Sequence, residues 1–239
     1  TFSQVISGIE ILAKRGVEFN VLCVVNKTNA VYPKDVFNFF AETGITHVQF
    51  IPCIEESAKA QETSPVAISP EEYGDFLCAI FDLWQGSVDG TPRVRLFDNI
   101  VEHYLDMTPG VCMFREKCGS YAVVEHNGDV FPCDFFVYPE WKLGNIMEKP
   151  LSEIIKSDLF NGFRESKPAY DSGCGECEWL GICKGGCPRT RHFVSNNFST
   201  PDYFCAGYKS LFSHAARKLA EVAGNIKKMN SGDTIINLD

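Results

Sequence analysis

The chain has 239 residues, 45% of them hydrophobic and 22% charged, and a formal net charge of −9; that is length for one large or two smaller domains and an ordinary globular composition. No apolar run reaches the roughly 18 to 20 residues that span a bilayer, the N-terminus lacks the basic and apolar regions of a signal peptide, and no block of Lys or Arg tracks phosphates. Membrane and nucleic-acid partners are therefore set aside, and the cytoplasm is the expected compartment.

Val5, Ile9, Leu12 and Ala13 recur at helical spacing, Gly16 stops that helix, and the near-continuous apolar run 17–25 predicts a strand covered on both faces. A second helix over 33–43, with Val36, Phe39 and Phe40 on one face, ends at Gly44 and leads into a strand over 47–51. This βαβ alternation predicts an α/β fold with a parallel sheet. Residues 52–68 lack periodicity and read as a long loop at the carboxyl end of that strand, where α/β folds usually place ligands. Ser69-Pro70-Glu71-Glu72 offers an N-cap, a Pro at the first helical position and a capping-box Glu. The helix behind it buries Tyr73, Phe76, Leu77, Ile80, Phe81 and Trp84, an aromatic stripe that belongs to the core. Residues 93–97 read as a short strand and 98–107 as a short helix.

From Thr108 the texture changes, which places a boundary after residue 107, a second domain over 108–230 and a polar tail over 231–239. His126-Asn127-Gly128-Asp129 between two apolar runs is a strong hairpin signal. Residues 143–146 read as a turn and 151–163 as a helix. A C-terminal helix restarts at Thr200-Pro201-Asp202, with Tyr208, Leu211, Phe212, Ala215, Leu219, Val222 and Ile226 on its apolar face.

Eleven cysteines without a secretion signal fit metal ligation better than disulfides. Cys23, Cys53 and Cys78 fall in strand and helix patterns, where a free thiol packs as a small hydrophobe. The other eight, Cys112, Cys118, Cys133, Cys174, Cys177, Cys183, Cys187 and Cys205, all follow residue 107, and eight is two sets of four. Cys174 to Cys187 is spaced C-x2-C-x5-C-x3-C among glycines that permit tight wrapping. Tetrathiolate sites suit either zinc or an iron–sulfur cluster, and spacing alone does not choose between them.

The full framework, with Gly-Asp-Val-Phe-Pro-Cys-Asp at 128–134, Leu-Gly-Asn-Ile at 143–146, Cys-Lys-Gly-Gly-Cys at 183–187 and Tyr-Phe-Cys at 203–205, resembles the SPASM extension of radical SAM enzymes. Within that superfamily it is most similar to the anaerobic sulfatase-maturating enzymes, also through residues 17–25 and 81–84. The resemblance runs from Thr1 to about Ile226. It implies the later βα units of a partial (β/α)6 radical SAM barrel over 1–107 and a SPASM domain over 108–230.

It also implies an enzyme that oxidises an active-site Cys or Ser of a sulfatase to Cα-formylglycine. In the family, reductive cleavage of S-adenosyl-L-methionine yields a radical that takes a hydrogen from the substrate Cβ. A carboxylate then removes the thiol or hydroxyl proton, and an electron leaves through the clusters. By motif, Cys112, Cys118, Cys133 and Cys187 would hold one auxiliary [4Fe-4S] cluster and Cys174, Cys177, Cys183 and Cys205 the other. Asp134 matches the proton acceptor, and the neighbouring Phe135 and Phe136 would form an apolar wall that raises its pKa. Ile54 aligns with a SAM contact. The expected partners are the sulfatase polypeptide and an electron-transfer protein such as flavodoxin or ferredoxin. The radical-generating C-x3-C-x2-C motif, which would hold a third [4Fe-4S] cluster, is not among these residues; the expectation is a C-terminal portion of a longer maturase, inactive alone. The competing readings are a SPASM enzyme with another peptide substrate and a non-catalytic zinc domain.

Overall fold

The computed structural model describes residues 1–54, 64–87, 91–168, 171–195 and 198–231. The chain divides into two compact units, one of residues 1–68 and 75–98, the other of residues 69–74 and 99–239. The boundary expected after residue 107 thus falls inside the second unit. Among the described residues no helix is long and apolar enough to cross a membrane.

In the first unit the helical spacing at the N-terminus becomes α1 (Phe2–Lys14), closed by Gly16 at a φ of 64°. α2 (Pro33–Glu42) starts on a proline whose missing N–H would have had no partner anyway. β1 (Val21–Val25) and β2 (His47–Pro52) pair in parallel with Val21 opposite Val48, and β3 (Arg93–Val94) joins the other side of β2, also in parallel. Parallel neighbours cannot be joined by a tight turn, so α2 and α3 (Pro70–Gln85) serve as the crossovers. The central strand carries the core: Phe50 meets Phe40 of α2 and Phe76 of α3 edge-on, at 6.1 and 5.2 Å between ring centres. Fully burying such a ring stabilises by about 1.5–3 kcal/mol.

Two expectations fail here. Among the described residues β1 is not covered on both faces: Leu22 and Val24 are 58% and 49% exposed, and α1 has no buried residue with which to seal that face. The strand expected over 93–97 stops at Val94. Leu96, Phe97, Ile100 and Val101, all buried at helical spacing, start α4 (Arg95–Tyr104) instead.

The second unit opens on the capping box, in which the Ser69 amide donates to Glu72 Oε2 (2.8 Å) and the Glu72 amide to Ser69 Oγ (3.1 Å). The hairpin forms as β4 (Val123–Val124) against β5 (Asp129–Phe131), antiparallel with Val123 opposite Phe131 and Gly128 turning at a φ of 88°. Where only a turn was expected, β6 (Gly144–Asn145) adds an antiparallel third strand to β5. The helix expected over 151–163 breaks into α5 (Leu151–Ile154) and α6 (Asp158–Glu165), because the Ser157 hydroxyl accepts from the Phe160 amide and starts a new helix. Phe136, Trp141, Phe163 and Phe198 pack edge-on or tilted into one aromatic cluster.

The cysteine-rich segment contains two single-turn helices, α7 (Ser172–Gly175) and α8 (Leu180–Cys183). α9 (Pro188–Ser195) was not anticipated. α10 (Cys205–Ser231) buries Tyr208, Leu211, Phe212, Ala215 and Leu219. It crosses the first turn of α3 backbone to backbone: a Cβ on Gly207 would press on the Pro70 carbonyl and lie 3.1 Å from the Gly74 nitrogen. The expected tail lies, after Ser231, outside the described residues, as do residues 55–63 of the expected ligand loop.

Candidate metal centre

Single helical turns and left-handed residues bring four of the eight cysteines together. Cys174 sits in α7, Cys177 in the turn after it, Cys183 at the end of α8, and Cys205 opens α10. All four line one cavity, together with the rings of Trp179, Tyr208 and Phe212. Lys184, Gly185 and Gly186, at φ values of 51°, 75° and 75°, then swing the chain from α8 to Cys187.

A second group gathers at the start of the unit. Cys112 opens a 3-10 turn (Cys112–Phe114). The thiols of Cys112 and Cys118 are close enough to Cys187 to act on it electrostatically. Burial above all pushes Cys187 up to about 12, and it pushes Cys118 up to about 11 and Cys183 up to about 12. All eleven cysteines are free.

Cys133 follows β5, and its sulfur lies 3.3 Å from Asp134 Oδ1 and 3.4 Å from the Tyr121 hydroxyl. That hydroxyl donates to Asp134 Oδ1 at 2.6 Å. The apolar wall expected around Asp134 is absent among the described residues. The carboxylate is exposed, Phe136 turns into the aromatic cluster, and Phe135 lies under the Arg189 guanidinium, 4.3 Å from ring centre to Cζ. The group that does engage the carboxylate is Tyr121, which sequence reasoning left inside a strand pattern.

Three buried charged side chains brace the ligand loops, and none carried a sequence signal beyond a helix restart at Asp202. The Asp202 carboxylate accepts from the amides of Cys187 and Phe204, both at 2.8 Å, and from the Thr190 hydroxyl at 2.5 Å. Burial raises its pKa against those hydrogen bonds. Arg191 donates to the carbonyls of Gly185 and Lys167, each at 2.8 Å. Lys167 Nζ donates to the carbonyls of Met113 (2.5 Å) and Cys112 (3.3 Å). Burial pulls Lys167 down to about 8, while ionised Cys118 or Cys187 would draw it back up.

Four thiols lining one cavity are a donor set that either a zinc ion or an iron–sulfur cluster would accept.

Residues 112–178 match the model of the SPASM domain, described as an iron-sulfur cluster-binding domain. The chain is 38% identical over 233 residues to the serine-type anaerobic sulfatase-maturating enzyme of Bacteroides thetaiotaomicron, covering 90% of this chain and 56% of the relative. It is 34% identical over 225 residues to the cysteine-type enzyme of Clostridium novyi, covering 93% and 60%. Its backbone superposes with a TM-score of 0.85 and 32% identity on native anSMEcpe with bound AdoMet and Cp18Cys peptide, covering 95% of this chain and 63% of that one. Over most of its length the chain is thus similar to anaerobic sulfatase-maturating enzymes, and part of it matches the SPASM domain. It spans about 56 to 63% of the length of these maturases.

The SPASM match takes in Cys112, Cys118, Cys133, Cys174 and Cys177, whereas Cys183, Cys187 and Cys205 lie beyond it. Of the remaining positions singled out by sequence, Ile54 is 3% exposed just past β2. Its neighbour Cys53 is tied to both flanks, donating its amide to the Val25 carbonyl at 2.7 Å and accepting from the Ile68 amide at 3.1 Å. Cys23 and Cys78 are half-buried in the first unit, outside both groups.

Proposed function

We propose that this chain is part of an anaerobic sulfatase maturase that oxidises an active-site Cys or Ser of a sulfatase to Cα-formylglycine. Residues 1–107 would supply later βα units of a radical SAM partial barrel, with Ile54 beside S-adenosyl-L-methionine, and residues 108–230 would hold two auxiliary [4Fe-4S] clusters. Cys112, Cys118, Cys133 and Cys187 would ligate one, and Cys174, Cys177, Cys183 and Cys205 the other. The observation that carries the reading is the cavity lined by four free cysteines, in a chain a third identical to sulfatase maturases.

When bound, the clusters supply acceptors for the electron that substrate oxidation releases. The chain's own task is then to hold ligands and to move one proton. Asp134 accepts it from the substrate thiol or hydroxyl, and the Tyr121 hydroxyl, hydrogen-bonded to Oδ1 at 2.6 Å, fixes that oxygen so that Oδ2 is the free acceptor. The exposure of Asp134 leaves it open to a substrate peptide, the kind of ligand named for the maturase structure above. An electron-transfer protein such as flavodoxin or ferredoxin would complete the redox chain.

Two measurements test this. Anaerobically prepared chain should contain about eight irons with matching acid-labile sulfide; stoichiometric zinc without sulfide would overturn the cluster assignment. In the maturase that also carries the C-x3-C-x2-C motif, Asp134→Asn should suppress formylglycine in a Cys- or Ser-containing sulfatase peptide while iron content stays intact. Full activity in that variant would remove Asp134 from the reaction.

A further inference from the structure

Nothing in the proposed reaction uses Lys167, yet few side chains in the second unit are more enclosed. It has no exposed surface, and its Nζ is anchored to the main-chain carbonyls of Cys112 and Met113. No ion pair joins it to a described carboxylate. An ammonium taken out of water without a counter-charge is strongly disfavoured. The groups close enough to compensate it as anions are the thiols of Cys118, Cys187 and Cys112.

Three of those neighbours are the proposed ligands of one cluster, and four thiolates on a [4Fe-4S] core leave a net negative charge. We propose that Lys167 is the built-in counter-cation of the cluster held by Cys112, Cys118, Cys133 and Cys187, a positioning residue that raises the reduction potential of that cluster. The inference rests on the two-cluster reading above. Reduction adds one negative charge, so a fixed cation beside the ligands favours the reduced state over the oxidised one. Burial keeps water from screening the effect. Anchoring to the carbonyl of Cys112 itself holds the charge at a constant place relative to a ligand.

Lys167 also reaches the other cysteine group, through Cys183. Asp202 acts on Cys183 and Cys205 as well as on Cys187, Lys209 on Cys174 and Cys205, and Arg191 on cysteines of both groups. Cys112, Cys118 and Cys187 of the first group face Lys167, against Cys183 of the second, so a change at Lys167 should move the first potential more than the second.

The test uses the 239-residue chain, reconstituted anaerobically, and three variants: Lys167→Met and Lys167→Gln, which remove the charge, and Lys167→Arg, which keeps it. The readouts are iron and sulfide content and an EPR-monitored redox titration. Removal of the charge should change the oxidised-to-reduced ratio of one cluster at least tenfold at fixed potential. That is a fall of about 59 mV in midpoint for a one-electron couple. The second cluster should shift less than the first, and the Arg variant should stay near wild type. Loss of one cluster in Met and Gln but not in Arg supports the same role. Equal shifts or equal losses in all three, or loaded neutral variants with unmoved midpoints, overturn it. Wild-type chain without iron and sulfide would instead overturn the cluster reading itself, and this inference with it.

Discussion

Gly186→Ala is the substitution on which the bracing of the cysteine loops can be measured. Gly186 has a φ of 75°, and an added Cβ would lie 2.7 Å from both Cβ and Cγ of Asp202, and closer still to its Oδ2. A left-handed backbone costs a non-glycine residue about 1–2 kcal/mol. Displacing Asp202 also loosens the bonds its Oδ2 accepts from the Cys187 amide and the Thr190 hydroxyl, at about 1–2 kcal/mol each. The sum, about 3–6 kcal/mol, is a large fraction of an ordinary folding free energy of about 5–15 kcal/mol. For a chain of this size it corresponds to a fall in Tm of about 6 to 24 °C. Gly16→Ala supplies the control, because Gly16 has a φ of 64° but open space around the missing Cβ; it should lose only the backbone part, about 2–8 °C. Thermal unfolding followed by circular dichroism measures both. If Gly186→Ala melts no lower than Gly16→Ala, Asp202 is not a rigid brace, and the energetic reasoning for these loops fails.

The metal-free chain should lose stability in alkali. Burial holds Cys118 at about 11 and Cys133, Cys183 and Cys187 at about 12, all above the thiol's ordinary 8.5 or so. Their contribution is therefore complete below about pH 8.5 and disappears as pH climbs through 11 to 12. Lys167, depressed to about 8, works in the opposite direction between about pH 8 and 10.4, but one lysine opposes four thiols. The urea midpoint should decline above pH 9, and a flat profile to pH 11 would contradict the burial argument. In the proposed maturase that also carries the C-x3-C-x2-C motif, Tyr121→Phe removes the hydroxyl donor of Asp134 and should lower kcat for formylglycine formation about tenfold, as expected for about 1.4 kcal/mol of lost orientation. KM and iron content should be unchanged, and mass spectrometry of the product peptide against wild type decides it.

Local chemistry made much of this fold legible. Asn127-Gly128 announced the hairpin because Gly128 supplies the positive φ its turn needs, and Ser69 with Glu72 announced a helix start whose two reciprocal bonds both form. The errors came where two local signals competed. Leu96 and Phe97 suit a strand, but with Ile100 and Val101 they bury better on a helix; Ser157 sits within a helical pattern yet caps a new helix. Burial by other elements was harder to read. The run 17–25 has the composition of a covered strand, yet whether its Leu22 face is covered depends on neighbours that its own residues do not specify. At the site the eight cysteines were countable, but their grouping came from resemblance. Lys167, Arg191 and Asp202 gave no warning because a buried charge has no periodic pattern; only its partners, 2 to 55 residues away in sequence, reveal it.

Those buried charges also explain why the two cysteine groups form one unit. Cys187 belongs to one group and Cys205 to the other, yet a single carboxylate, Asp202, accepts the amide of Cys187 and the amide of Phe204 immediately before Cys205. Arg191 donates to the carbonyl of Gly185, between Cys183 and Cys187, and to the carbonyl of Lys167, whose ammonium holds Cys112 from the far side. Each ligand loop is thus fixed by main-chain hydrogen bonds to charged side chains that also grip a loop of the other group. Charge-assisted bonds of this kind are stronger and more directional than neutral ones. A shift of one loop is therefore passed to the other through Asp202 and Arg191 as well as along the chain from Cys183 to Cys187, so in the proposed two-cluster arrangement the distance between the clusters would be set by the protein's hydrogen bonds as well as by the metal–sulfur bonds.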